Sequence, residues 1–226
     1  MKKIEFEIKL FIKFYDSFFF GGGNGSGEIQ SYLLRDINGF PYISGSALKG
    51  CMSKYAAALS YLVPEFNHHG ELFGTGGVKQ GSLYFENGNL TSESASVYSG
   101  MQEEITEIRT GVSINDYTGA KKEGFLYAME LSGMGGNMVF ESSIYGFLDE
   151  DSFEKDIAYL VASARLIFAL GGRRTAGLGW LQSPIECQVL RIDQEPDSES
   201  AAPVQIESEK INQWISHWMG GTKCTE

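Results

Sequence analysis

The chain has 226 residues, 42% hydrophobic and 21% charged, enough apolar material for a full core in one elaborated domain or two small similar halves. Its 29 acidic against 18 basic residues give a net charge of −11, which argues against indiscriminate nucleic-acid binding and requires a local basic surface for any anionic ligand. No apolar run approaches the roughly 20 residues of a membrane-spanning helix, Met1-Lys2-Lys3-Ile4-Glu5 is unlike a secretory signal, and Cys51, Cys187 and Cys224 lack zinc or dithiol spacing, so a cytoplasmic protein with free thiols and no membrane partner is expected.

Ile4, Phe6, Ile8, Leu10, Ile12 and Phe14 alternate with Glu5, Glu7, Lys9 and Lys13, so residues 4–15 read as a half-buried strand. Phe18-Phe19-Phe20 then runs into seven residues of which five are glycine, predicting a flexible loop up to Gly27. After an extended piece at residues 32–34, Leu48, Met52, Tyr55, Ala56, Leu59 and Leu62 recur at helical spacing. This predicts a helix from about Ser46 to Leu62, capped by Ser44 or Ser46 and ended by Pro64. His68-His69, with no spaced cysteine or acid, reads as a polar loop rather than a metal site.

Residues 81–87 read as a strand entering a turn, and residues 109–124 as an exposed hairpin tipped by polar turn residues. Strands are predicted near residues 125–131 and 138–147. Asp151 and Glu154 stand in capping-box spacing before Ile157, Leu160, Val161, Ala164, Ile167 and Phe168, a second helix running to Gly171. A closing strand is predicted over residues 180–192. Beyond it, residues 194–203 read as a disordered linker, and Ile211, Trp214, Ile215 and Trp218 as a short amphipathic segment that docks on the body or a neighbour. Residues 193–226 hold seven acidic and two basic side chains.

The order strand, helix, strands, helix, strand is the split βαβ pattern of an α+β, ferredoxin-like (RRM-like) βαββαβ core, here with a protruding hairpin and a glycine-rich loop. The predicted organisation is one domain over residues 1–192, with the hairpin inserted near 109–124, followed by an acidic linker and C-terminal segment over 193–226. The segment between the second helix and the closing strand is Leu170-Gly171-Gly172-Arg173-Arg174-Thr175-Ala176-Gly177-Leu178-Gly179-Trp180. Glycines allow close backbone approach to a ligand, and two arginine forks suit phosphate oxygens. The same segment also reads as an ordinary helix-to-strand turn with two solvated arginines.

This segment, Pro41-Tyr42-Ile43-Ser44-Gly45-Ser46-Ala47-Leu48-Lys49-Gly50, Leu72-Phe73-Gly74, and Arg109-Thr110-Gly111-Val112-Ser113-Ile114-Asn115 with residues 121–124 occur together in one chain. Together they resemble the repeat-associated mysterious protein (RAMP) superfamily, and most nearly the repeated backbone subunit of type III CRISPR effector complexes. The resemblance implies a guide RNA-binding (crRNA-binding) subunit in antiviral defence. Its partners would be guide RNA, target RNA, other RAMP subunits and a large polymerase-like subunit. It further implies guide-phosphate contacts from Ser46, Lys49 and Lys54 on the first helix and from Arg173 and Arg174. The hairpin would act on the guide–target duplex through Arg109, Val112, Ile114, Lys121 and Lys122. The bland alternatives are lysines that merely solvate the first helix and a Val112–Ile114 pair that merely packs the hairpin.

Family members that cut target RNA are implied to place an aspartate before an Arg-Asp or Lys-Asp pair. Here the pair is Arg35-Asp36 and Gln30 stands at the implied position. A cleavage-deficient scaffold that needs no cofactor to bind RNA is therefore expected. The alternative is a metal-dependent endoribonuclease using Glu28 or Asp36 with Mg²⁺. Two other readings stay open: a guide-processing ribonuclease using His68 and His69, and an interaction protein with no RNA role.

Overall fold

The computed structural model describes residues 2–24, 29, 31–114, 117–119, 121–133, 137–192 and 203–220. In chain order the strands and helices begin with β1 (Lys3–Lys13), β2 (Gly21–Asn24), β3 (Ser31–Leu33), α1 (Gly45–Leu62) and α2 (His69–Leu72). Then come β4 (Gly74–Thr75), β5 (Lys79–Gln80), β6 (Tyr84–Phe85), β7 (Asn89–Leu90), α3 (Ser92–Val97), β8 (Thr106–Ile114) and β9 (Lys121–Ser132). The chain closes with β10 (Val139–Asp149), α4 (Phe153–Arg165), β11 (Glu186–Ile192), β12 (Val204–Ile206) and α5 (Ser208–Met219).

The alternation read in β1 is real, its even-numbered residues being buried and its odd-numbered ones lying on the other face. It pairs antiparallel with β10 on one side and β11 on the other, and β10 pairs with β6. The resulting order β11-β1-β10-β6, with α1 between β1 and β6 and α4 between β10 and β11, is the ferredoxin-like βαββαβ arrangement. Leu48, Met52, Ala56 and Leu59 of α1 and Ile157, Leu160, Val161 and Ala164 of α4 join the buried face of β1 in one core. Removing such apolar surface from water is the main force holding the layers together. The C-terminal segment docks back on the body. β12 extends the sheet beside β11, Ile211 is fully buried, and Arg165 donates to Asn212 Oδ1 at 2.6 Å.

Several sequence expectations are corrected. The glycine-rich stretch is not all loop. Phe18 and Phe20 are core residues, and residues 21–24 form β2 because a pairing partner, β3, arrives from later in the chain. The hairpin is longer than 109–124, since β8 and β9 pair from Thr106↔Ser132 to Ile114↔Lys121, and the separate strand expected near 125–131 is the rest of β9. That hairpin belongs to a second sheet, β2-β3-β9-β8. Asp151 does not cap α4: it lies in a 3₁₀ turn over Glu150–Ser152, and the Ser152 hydroxyl bonds to Asp156 instead of an amide.

The helix α4 stops at Arg165 rather than running to Gly171. Residues 168–170 and 179–181 instead face each other as a short antiparallel ladder, with Leu170 N–H on Gly179 O and Leu181 N–H on Phe168 O, both at short range. The closing strand therefore begins at Glu186, and Trp180 belongs to this ladder. His69 opens α2 rather than sitting in a loop, and His68 Nδ1 lies 2.9 Å from the buried Asp156. Glu28, Gln30, residues 194–202 of the expected linker and Cys224 lie outside the described residues.

Candidate nucleic-acid interface

The helix α1 begins where Ser44, in extended conformation, accepts from Ala47 N–H at 3.3 Å, so Ser44 rather than Ser46 is the cap. Gly45 N–H is taken by Asn87 Oδ1 at 2.9 Å. These two donors are spent inside the protein, leaving less of the helix end for an anion than the sequence suggests. Ser46 is exposed there, its hydroxyl 3.3 Å from that of Ser44. Lys54 lies in the middle of α1, beyond the first turn where the helix dipole acts.

The glycine-arginine segment closes on itself. Gly171 (φ 93°) and Gly179 (φ 74°) hold left-handed backbone against the carbonyls of Phe19 and Leu170, where any Cβ would collide. Those two glycines answer the fold's own packing. What the loop presents outward is Arg173 and Arg174, both exposed. Arg173 is itself left-handed at φ 54°, the one non-glycine residue with positive φ among the described residues. Its guanidinium lies over the ring of Tyr127 in β9, with the carbon 4.6 Å from the ring centroid.

Arg174 points the other way, to α1, where Nη1 reaches Cys51 Sγ at 4.0 Å. Arg174 and Lys54 share the walls of a cleft of about 340 Å³, with Cys51, the Gly171–Gly172 backbone and Phe19–Gly21 completing it. Burial pushes the Cys51 thiol above its ordinary range, and the charges of Arg174 and Lys54 oppose that rise. Both cations are therefore close enough to act on one sulfur. Lys49 does not join them. It lines a different cleft, beside the β4–β5 hairpin, with its ammonium 6.0 Å from the Phe85 ring.

Among the described residues, no carboxylate lies within 4.0 Å of Lys49, Lys54, Arg173 or Arg174. Lys3, Lys9 and Lys13 are matched with Asp149, Glu141 and Glu186, whereas Lys79, Lys155, Arg165 and Lys210, like the cleft cations, have no described carboxylate within that distance. Arg109 on β8 is also matched, donating to Glu107 at 2.8 Å, whereas Val112 on the same strand is exposed. Ile114, Lys121 and Lys122 stand at the far end of the β8–β9 pairing, and their side chains are outside the described atoms.

The Arg35-Asp36 pair is engaged in the fold. Asp36 Oδ1 accepts from Asn38 and Phe40 N–H, each at 2.9 Å, which closes a tight turn. Arg35 donates to Gly39 O, Gln102 O, Thr106 Oγ1 and, at 2.6 Å, Glu130 Oε1. Among the described residues no three His, Cys, Asp or Glu side chains stand together as metal ligands. Tyr127 and Cys51 escaped the sequence reading, since neither belongs to a residue type that advertises phosphate binding.

A protein-family model, that of the RAMP superfamily, matches residues 11–182. No curated protein sequence gives a match. Among solved structures, the fold is similar to a chain of the cryo-EM structure of type III-B Cmr-beta in the apo state. That alignment has TM-score 0.60 and 13% identity, and covers 80% of this chain and 96% of the other. It is also similar to a chain of type III-B Cmr-beta bound to cognate target RNA, with TM-score 0.57 and 13% identity, covering 83% and 97%. At such identity the likeness is one of fold.

Proposed function

The chain belongs to the RAMP superfamily, and from that premise we propose that it is a guide RNA-binding backbone subunit of a type III CRISPR effector complex. It holds the guide strand by its phosphates and leaves sequence recognition to base pairing with the target. Similar subunits and a large polymerase-like subunit are its protein partners. The observation that carries this reading is the convergence of Lys54 and Arg174, unmatched by any described carboxylate, on one cleft of a protein whose net charge is −11. A cationic ligand would be repelled by that arrangement and a neutral one would leave its charge unmatched, whereas a phosphodiester supplies the missing anions.

Support for RNA as the anion comes from the fold shared with a chain of type III-B Cmr-beta bound to cognate target RNA. The β8–β9 hairpin, with Val112 exposed, is the element assigned to the guide–target duplex, together with Arg109, Ile114, Lys121 and Lys122. Scaffolding without cleavage is the favoured role, because Asp36 is occupied by its turn and Gln30 is an amide.

The test is to purify the full chain without nuclease treatment and to add labelled single-stranded RNAs of unrelated sequence. The reading expects co-purifying RNA and similar affinity for each sequence. A chain that emerges free of RNA and binds none of the probes overturns it.

A further inference from the structure

The even-numbered residues of β1 pack with α1 and α4 in the core. The odd-numbered ones lie on the other face of the main sheet, in register with the outward residues of the neighbouring strands. One row joins Leu190 on β11, Glu7 on β1, Tyr145 on β10 and Tyr84 on β6, and in the next row Ile192 and Phe147 flank Glu5. Tyr84, Tyr145 and Phe147 are 54%, 39% and 49% exposed, and the two tyrosine rings are stacked with centroids 5.8 Å apart. Aromatic side chains exposed together on one sheet face form a contact surface.

In an RRM-like sheet such aromatics can stack RNA bases, but the charges of this face oppose that. Lys3, Lys9 and Lys13, the cations that β1 turns to this side, each lie within 4.0 Å of a carboxylate on an adjoining strand. Glu7, half-buried beside Tyr145, accepts from the Ser143 hydroxyl at 2.6 Å. Among the described residues it has no cation within 4.0 Å. A phosphate backbone brought here would meet an unmatched anion and cations already paired. A guanidinium would meet the reverse, a carboxylate to pair with and tyrosine rings to lie against.

We infer that this face docks a protein partner that presents an arginine among apolar side chains. The arginine pairs with Glu7 and lies against Tyr145, and the apolar side chains around it cover Leu190, Phe147 and Tyr84. Two copies of this chain meeting face to face would instead bring like charges together. The inference is independent of the RNA-binding reading, whose cleft is built by α1 and the glycine-rich loop.

The test follows the backbone amide resonances of the isotope-labelled full chain as a probe peptide, acetyl-Leu-Arg-Leu-Arg-Leu-amide, is added. The same peptide with glutamate for arginine, and oligouridine, are titrated in parallel. The arginine peptide should shift the amides of Glu7, Tyr145 and Phe147, and the glutamate peptide should leave them in place. Glu7→Gln removes the charge but keeps an acceptor for Ser143, and should weaken the arginine peptide by about three- to fivefold, the worth of one charge pair. Tyr145→Ala should weaken it by about two- to fivefold. Arginine-peptide binding that misses this face, or that is unchanged in both variants, overturns the inference. Oligouridine that shifts these same amides overturns it as well and makes the face an RNA-stacking surface. Oligouridine that shifts no amide anywhere overturns the RNA-binding reading alone.

Discussion

Arg173 stacks its guanidinium on the ring of Tyr127 at 4.6 Å and donates to that tyrosine's hydroxyl at 3.3 Å, tying the glycine-rich loop to the β8–β9 hairpin. The ring can lie there because Gly111, opposite Tyr127 on β8, has no Cβ; one would run into the tyrosine ring. The two adjacent arginines thus divide their work. Arg173 braces the hairpin, and Arg174 faces the cleft.

Arg174→Ala is therefore expected to weaken RNA binding and to reduce its salt slope by about 0.7, with little change in stability. Arg173→Ala and Tyr127→Ala should each cost about 0.5–1 kcal/mol, the worth of an exposed cation–π contact, and should chiefly impair capture of target RNA by loosening the hairpin. Binding assays with guide alone and with guide plus target separate the two. Identical profiles for Arg173→Ala and Arg174→Ala would contradict this division.

Arg35 and Asp36 are expected to matter for stability. Asp36→Ala removes the acceptor for two amides and should cost about 1–2 kcal/mol. Arg35→Ala takes the counter-charge from Glu130, which is 13% exposed and keeps only the Leu33 amide as a partner, and should cost about 2–3 kcal/mol. Urea unfolding of both variants checks this. Wild-type stability in Asp36→Ala, with altered RNA cleavage, would return Asp36 to the candidate catalytic residues.

Alkali should destabilise the protein through Cys187. Burial pushes this thiol up to about 12, from 9.0 when unfolded. Between those values the unfolded chain releases a proton that the folded chain keeps, so stability is intact below pH 9 and falls as pH rises towards 12. The loss from this one group approaches about 1.4 kcal/mol per pH unit. Tyr159, raised by burial beneath its bond to Ala56 O, adds a loss of the same sign. Cys187→Val should make the decline shallower, measured by urea unfolding across the alkaline range; an unchanged decline would mean that Cys187 is not its source.

The parts of the fold legible in the sequence are those whose periodicity is strong and local. β1 alternates over its whole length, α1 keeps its buried residues on one side, and α4, buried nearly all round, still carries Ile157, Leu160, Val161 and Ala164 at helical spacing. β2 was not legible because Gly21–Asn24 carries no strand signal and pairs only because β3 returns to it. Residues 168–170 were absorbed into α4 because Ile167 and Phe168 continue its spacing, and only their ladder with residues 179–181 ends it. At the candidate interface, Lys49 and Lys54 looked like one cluster five residues apart. They face different clefts because the β4–β5 hairpin packs along one side of α1 and the glycine-rich loop along the other. The Arg173–Tyr127 contact joins residues far apart in sequence, and no local pattern announces it.

The most direct measurement of the central claim is the affinity of the full chain for single-stranded RNA over a salt series, for the wild type and for Lys54→Glu with Arg174→Glu. The cleft then carries two anions where two unmatched cations stood. The account predicts that the wild type binds with an affinity that falls steeply with salt. In the folded double variant it predicts an affinity at least a hundredfold lower and a slope smaller by about 1.4, two single-strand phosphate contacts. A folded double variant that keeps the wild-type affinity and slope would contradict it.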